Sequence, residues 1–253
     1  MRSVRYAAYF APPAGSRWWQ AGSSWLGRCA IDERSLPQPP VPGVSADEQR
    51  RLTAGPRRYG WHATLRAPFA LAAEVDVEAV RARLRDICRG QQPFTLPPLK
   101  VALLDGFLAL VPDAQPRGVP SGSAVDATNA VTAIDVVARA CVTGLQALAA
   151  PPSSQELQRR RAAGLTRQEQ ALMLRWGYPF VMERFRFHFS LTGPLVGIPE
   201  PAVTALQDAA TAWFGALPSC RFESVALFMQ PEGGADFVLL EHFALGAFQR
   251  PPP

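Results

Sequence analysis

Lysine is almost missing from this chain: of its 26 basic residues only Lys100 is not arginine, and there are just three histidines and four cysteines. Cys29, Cys88, Cys141 and Cys220 are widely scattered. No Cys-x-x-Cys or His-x-x-x-His occurs, so neither a zinc knuckle, a dithiol redox motif nor a helical zinc site is indicated. No Gly-x-Ser-x-Gly elbow, P-loop or dinucleotide-binding fingerprint is present. The apolar stretch after Arg5 is too short for a signal-peptide core and is broken by Pro12 and Pro13; it reads as a first β-strand. No other segment looks long enough to span a bilayer. The expectation is a reduced, cytoplasmic protein with no membrane contact and no obligate protein partner.

What is present bounds the rest. A chain of 253 residues with 48% hydrophobic content can bury one large core or two closely packed lobes. The net charge of +5 suits anionic partners. The wealth of Ala and Pro beside Arg reads as the codon usage of a GC-rich genome, and no dense Lys/Arg tract marks a general nucleic-acid binder.

The informative signal is a repeated tetrapeptide. His62-Ala63-Thr64-Leu65 and His188-Phe189-Ser190-Leu191 carry the same His-x-Thr/Ser-Leu pattern on two of the three histidines. A matched pair at ordinary composition is roughly a one in ten thousand event. On a strand, side chains alternate between faces, so His62 and Thr64 point one way, as do His188 and Ser190. Around the second copy Phe185, Phe187, Phe189 and Leu191 alternate with Arg184, Arg186, His188, Ser190 and Thr192, which predicts a half-buried strand. Around the first, Gly60, His62, Thr64 and Arg66 oppose Trp61, Ala63 and Leu65. Each strand thus offers an imidazole, a hydroxyl and a guanidinium in a row, a set suited to phosphate.

These motifs resemble the two-histidine (2H) phosphoesterase superfamily. Longer strings, Arg5-Tyr6-Ala7-Ala8-Tyr9-Phe10, Tyr59-Gly60-Trp61-His62 and Trp176-Gly177-Tyr178-Pro179-Phe180, are similar to its phosphonate-metabolism-associated branch, a domain of unknown function. The resemblance covers nearly the whole chain. It implies an α+β, LigT-like fold of two pseudo-symmetric lobes, with antiparallel sheets around a central cleft and helices outside. It also implies a metal-independent phosphodiesterase, with no cofactor, opening a small ribose or nucleotide cyclic phosphate. Alternatives are an RNA-end 2',3'-cyclic phosphodiesterase or 2'-5' ligase, or a non-catalytic binder of a phosphometabolite or RNA end. A small phosphorylated substrate is favoured over RNA, because a dense aromatic and basic strand-binding surface is not evident.

The chemistry explains why two imidazoles are needed. Hydrolysis of a cyclic phosphodiester requires proton removal from water on one side of phosphorus and proton delivery to the departing alkoxide on the other. Histidine, titrating at about 6.5, suits both tasks. His62 and His188 are the candidate catalysts, and the sequence leaves open which is acid and which is base. Thr64 and Ser190 are candidate donors to the non-bridging oxygens, and Arg66 and Arg186 candidate charge clamps. Tyr6, Tyr9, Tyr59 and Tyr178 are candidate cleft-lining residues, with core packing as the plainer reading. His242, lacking a following hydroxyl, reads as structural. Arg159-Arg160-Arg161 reads as a solvated helix face, with a basic lid as the alternative.

The remaining pattern predicts helices over Ser16 to Leu26, from Ser45 through Leu52, and over Val75 to Cys88, Thr132 to Ala149, Ser154 to Arg175 and Pro201 to Phe214. The helix from Ser154 is interrupted near Gly164 and restarted by a Thr166/Glu169 capping box. Asp105-Gly106 predicts a hairpin between Val101–Leu104 and Phe107–Val111. Asp113 to Asn129, rich in Gly, Pro, Ser and Asp, reads as an exposed loop insertion within a single two-lobed domain, 1–253. Strand, helix and paired strands in each half suggest a pseudo-twofold arrangement.

Overall fold

The structure, a computed structural model, describes residues 4–113, 121–152, 158 and 164–246. In chain order the strands are β1 (Arg5–Phe10), β2 (Ala63–Phe69), β3 (Phe94–Thr95), β4 (Leu99–Leu104), β5 (Phe107–Pro112), β6 (Phe189–Ser190), β7 (Arg221–Phe222), β8 (Ser224–Gln230) and β9 (Val238–Ala244). The helices are α1 (Arg17–Leu26), α2 (Ala46–Arg57), α3 (Val77–Arg89), α4 (Ser121–Leu145), α5 (Arg167–Trp176) and α6 (Glu200–Gly215). The fold is α+β, with antiparallel sheets.

Seven strands form one antiparallel sheet in the order β4-β5-β6-β2-β1-β8-β9, and β3 pairs with β7 in a second sheet. The halves repeat element by element: β2-α3-β3-β4-β5, then β6-α6-β7-β8-β9. Equivalent strands meet across the middle, β2 against β6 and β3 against β7. The hairpin of each half flanks the motif strand of the other, with β1 inserted between β2 and β8. This is the expected pseudo-twofold plan, and it brings the two motif strands side by side at Ala63 and Phe189.

Alternation explains why the sheet seats this way. Phe10, Ala63, Leu65, Leu110, Phe189, Leu191, Val225 and Leu227 point into the main core, joined by Trp25 of α1, Leu84 of α3, Ile134 of α4 and Leu206 of α6. Trp61 stacks between Phe189 (4.7 Å) and Phe214 (5.3 Å), tying the residue before His62 to the residue after His188. Gly22 permits this, because a Cβ there would lie 1.9 Å from the Trp61 ring. On the opposite face Ala7, Tyr9, Ala226 and Phe228 form a second apolar cluster, which continues into the site described below.

Local signals match closely. Ser16, Ser45 and Asp76 accept N-cap hydrogen bonds for α1, α2 and α3, and Thr166 and Glu169 form the reciprocal capping box of α5. Asp105 (φ 47°) and Gly106 (φ 86°) make the two-residue turn of the β4–β5 hairpin.

Three expectations are corrected. Residues 121–129 are helical rather than loop, forming the start of α4. Once Ile134, Val137, Ala138 and Cys141 are packed, extending the helix fixes one residue per added hydrogen bond, which offsets the poor propensity of Gly, Ser and Asn. Residues 114–120 of the supposed insertion and Arg159-Arg160-Arg161 lie outside the described residues. Thr128–Leu148 is long and apolar enough by composition to cross a bilayer, yet Ile134, Val137, Cys141 and Leu145 are buried in the protein's own core. Finally, the second motif strand is short: only Phe189–Ser190 is paired, and Met182–Arg184 is a 3-10 turn.

Candidate active site

The two histidines are held in the same way. His62 places Nδ1 2.9 Å from the Gly60 carbonyl, and His188 places Nδ1 2.8 Å from the Arg186 carbonyl, each two residues upstream. Donation from Nδ1–H to a carbonyl fixes the tautomer and leaves Nε2 as the lone-pair nitrogen. Gly60 is suited to its part, with φ 77° and a Cβ position only 2.5 Å from the Ala30 methyl. Thr64 Oγ1 lies 3.2 Å from His62 Nε2.

Both imidazoles, with Thr64 and Ser190, line one cavity of about 420 Å³ on the face of the sheet away from the main core. Its walls come from Tyr9 and Arg5 of β1, Tyr59 after α2, Asp105 and Phe107 of the β4–β5 hairpin, and the segment from Tyr178 to Arg186. Glu169 anchors that last wall. While accepting from the Thr166 N–H and hydroxyl, it pairs with Arg184 at 2.8 Å.

The surroundings of the two rings differ. Tyr9, itself buried, stacks on His62 with centroids 3.8 Å apart, and Tyr59 and Phe228 flank it at 6.0 and 6.3 Å. Burial, with a smaller contribution from the charge of His188, pushes the His62 pKa down to about 4. Burial also lowers that of His188, where Arg186 adds to the depression and Asp105 opposes it. The phenol of Tyr9 is pushed well above its ordinary range by burial, then by Tyr59 and Tyr178. At neutral pH the ligand-free cavity therefore presents two uncharged imidazoles.

The other expected residues divide. Tyr9, Tyr59 and Tyr178 line the cavity, whereas Tyr6 faces the opposite way and packs against the main core. Arg186 stands at the rim, paired with Asp105. Arg66 is not in the site. The β1–β2 register passes from Tyr9↔Thr64 to Ala8↔Arg66, so Leu65 is an extra residue and the alternation flips. Arg66 is consequently buried on the core face, donating to the Trp176 carbonyl and, at 3.0 Å, to Gln146 Oε1. Burial lowers its pKa to about 10.

Arg5, Asp105, Phe107 and Arg184 line the cavity without having been singled out as site residues. Arg5 shares strand parity with Tyr9, a signal available in the sequence; its Nε donates to Gln230 at 2.7 Å. Asp105 reaches the rim only through non-local pairing of its hairpin with β6. His242 is a structural pair with Ser224 at 3.0 Å, away from the cavity. All four cysteines are buried and unbonded. Among the described residues no three His, Cys, Asp or Glu side chains gather as a metal-binding set.

The chain is 42% identical over 236 residues to a ribose 1,5-bisphosphate phosphokinase PhnN of Laribacter hongkongensis (strain HLHK9), covering 93% of this chain and 50% of that protein. It is 35% identical over 238 residues to the protein of the same name from Janthinobacterium sp. (strain Marseille), covering 93% and 49%. It thus spans about half the length of the curated relatives it matches. Among solved structures, E. coli LigT complexed with NADP+ is 12% identical, covers 97% of this chain and 99% of that one, and superposes with a TM-score of 0.38. A phosphoesterase crystal structure is 13% identical, with coverages of 95% and 98% and a TM-score of 0.37. The pattern of one protein family matches residues 64–238, well over half of the chain, and the chain belongs to that family, DUF1045, described as a protein of unknown function.

Proposed function

We propose that the protein is a phosphodiesterase of the two-histidine class that opens a small cyclic phosphate by acid and base catalysis. The observation that supports this best is the duplicate construction of His62 and His188. Each is locked through Nδ1 to the carbonyl two residues upstream, each precedes a hydroxyl by two residues, and both face one cavity from positions directly before adjacent strands.

In this reading one Nε2 takes the proton of water as its oxygen attacks phosphorus. The other Nε2–H protonates the alkoxide as the ring P–O bond breaks. Thr64 and Ser190 donate to the non-bridging oxygens as charge builds there. Arg186 and Arg184 at one end and Arg5 at the other supply positive potential. A cavity of about 420 Å³ fits a sugar or nucleotide phosphate and falls within the usual range for small-ligand sites of about 300–1,000 Å³. The relatives' names concern a phosphorylated ribose, which favours a ribose cyclic phosphate over an RNA end. Their kinase activity is a different matter, since no P-loop occurs in this sequence.

The test is phosphorus NMR of the EDTA-treated protein with ribose 1,2-cyclic phosphate 5-phosphate, 2',3'-cyclic nucleotides and a short RNA ending in a cyclic phosphate. Turnover of a small cyclic phosphate is expected. Binding without turnover of any compound would favour the non-catalytic reading.

A further inference from the structure

The two histidines share a backbone anchor but not an environment, and the difference bears on which of them holds a proton when an anion is bound. His62 lies in an aromatic box of Tyr9, Tyr59 and Phe228, and its Nε2 faces the Thr64 hydroxyl. A hydroxyl there donates to a lone pair, the arrangement of a neutral imidazole. Among the described residues no carboxylate lines that end of the cavity. A cation in this buried box loses its hydration without a counter-charge.

His188 sits at the other end. Its neighbours are Phe107, at 5.6 Å, and the Asp105–Arg186 ion pair, with Arg184 the next cation along the wall. Asp105 reaches this place because the two-residue turn holds it at φ 47°, a conformation Asp tolerates. The hairpin is docked there by the Leu195 N–H donating to the Gly106 carbonyl at 2.8 Å. The Asp105 carboxylate, paired with Arg186, favours a proton on His188 and offsets part of the larger effect of the Arg186 charge there.

We propose that His188 is the general acid and His62 the general base, and that Asp105 is the positioning residue that makes the two imidazoles unequal. The assignment rests on the phosphodiesterase reading above. An anion entering the cavity favours protonation of both rings, and the proton goes to the ring with the nearby carboxylate. In the reaction His62 Nε2 removes the water proton as the P–O bond to water forms. The ring P–O bond breaks as His188 Nε2–H protonates the departing oxygen. The departing oxygen keeps the proton from His188; His62 then releases its proton to solvent and His188 takes one up, so the cycle balances without a redox partner.

The experiment is a pH titration of the three histidines by long-range 1H–15N NMR, with and without inorganic phosphate, assigned with His62→Gln and His188→Gln. With phosphate, His188 is expected to become protonated at a higher pH than His62. The reverse order, or indistinguishable titrations, would overturn the assignment while leaving the site intact. No response of either ring to phosphate would instead overturn the phosphodiesterase reading, and this inference with it. Asp105→Asn supplies the second measurement. It should move the His188 titration and the alkaline limb of the rate profile to lower pH, leaving the His62 titration in place. An unmoved alkaline limb would remove Asp105 from the account.

Discussion

Anion binding should draw a proton into this protein, by an amount that follows from the site. His62 titrates near 4 in the ligand-free cavity because burial, with some help from His188, disfavours its charged form. A unit negative charge about 4 Å away, at an effective dielectric constant of about 20, is worth about 4 kcal/mol. That corresponds to about 3 pKa units. Even the more depressed imidazole would then titrate near 7, and the same charge raises His188 as well. Between about pH 6 and 7 the bound state should therefore carry roughly one to two more protons than the free state, falling as pH rises past the bound-state values. Sulfate is a suitable probe because it does not itself titrate there. Calorimetry in buffers of different ionisation enthalpy reads the uptake directly, and His188→Gln should reduce it sharply. Binding enthalpies independent of buffer, or proton release, would refute the reasoning.

Arg66→Ala should cost about 1–3 kcal/mol in urea unfolding, because it strands the Trp176 carbonyl and Gln146, while KM stays unchanged; a raised KM at unaltered stability would return Arg66 to the phosphate. Thr64→Val and Ser190→Ala should each lower kcat by about 100- to 1,000-fold at most, and a loss confined to KM would assign them to ground-state binding. His62, depressed from 6.5 to about 4, contributes stability that is fully present above its unfolded value and lost as pH falls through the folded one. Chemical denaturation at pH 7 and pH 4 should accordingly show a loss about 3 kcal/mol smaller in His62→Gln than in the wild type, and equal losses would contradict the depressed value.

Much of this was legible in the sequence because the signals are local. The Thr166/Glu169 box, the Asp105-Gly106 turn and the Phe187/Phe189/Leu191 alternation each depend on residues a few positions apart, and all appear in the structure. The repeat of motif strand, helix and hairpin was readable for the same reason. What escaped was set by neighbours distant in sequence. Arg66 carries the right parity for the site, but one extra residue against β1 turns it to the core. Residues 121–129 have turn-like composition, yet they continue a helix whose packing is decided further along. Asp105 reads as a turn residue from its neighbour Gly106, and only the pairing of β5 with β6 makes it a neighbour of His188.

The most direct test of the central claim is single-turnover kinetics on whichever cyclic phosphate the wild type opens, comparing His62→Ala, His188→Ala and the double variant, all shown to be folded by near-ultraviolet circular dichroism. Two imidazoles acting as one acid–base unit predict a loss of about 100- to 10,000-fold in each single variant, with little further loss in the double. Substantial activity in either folded single variant would contradict the two-histidine account.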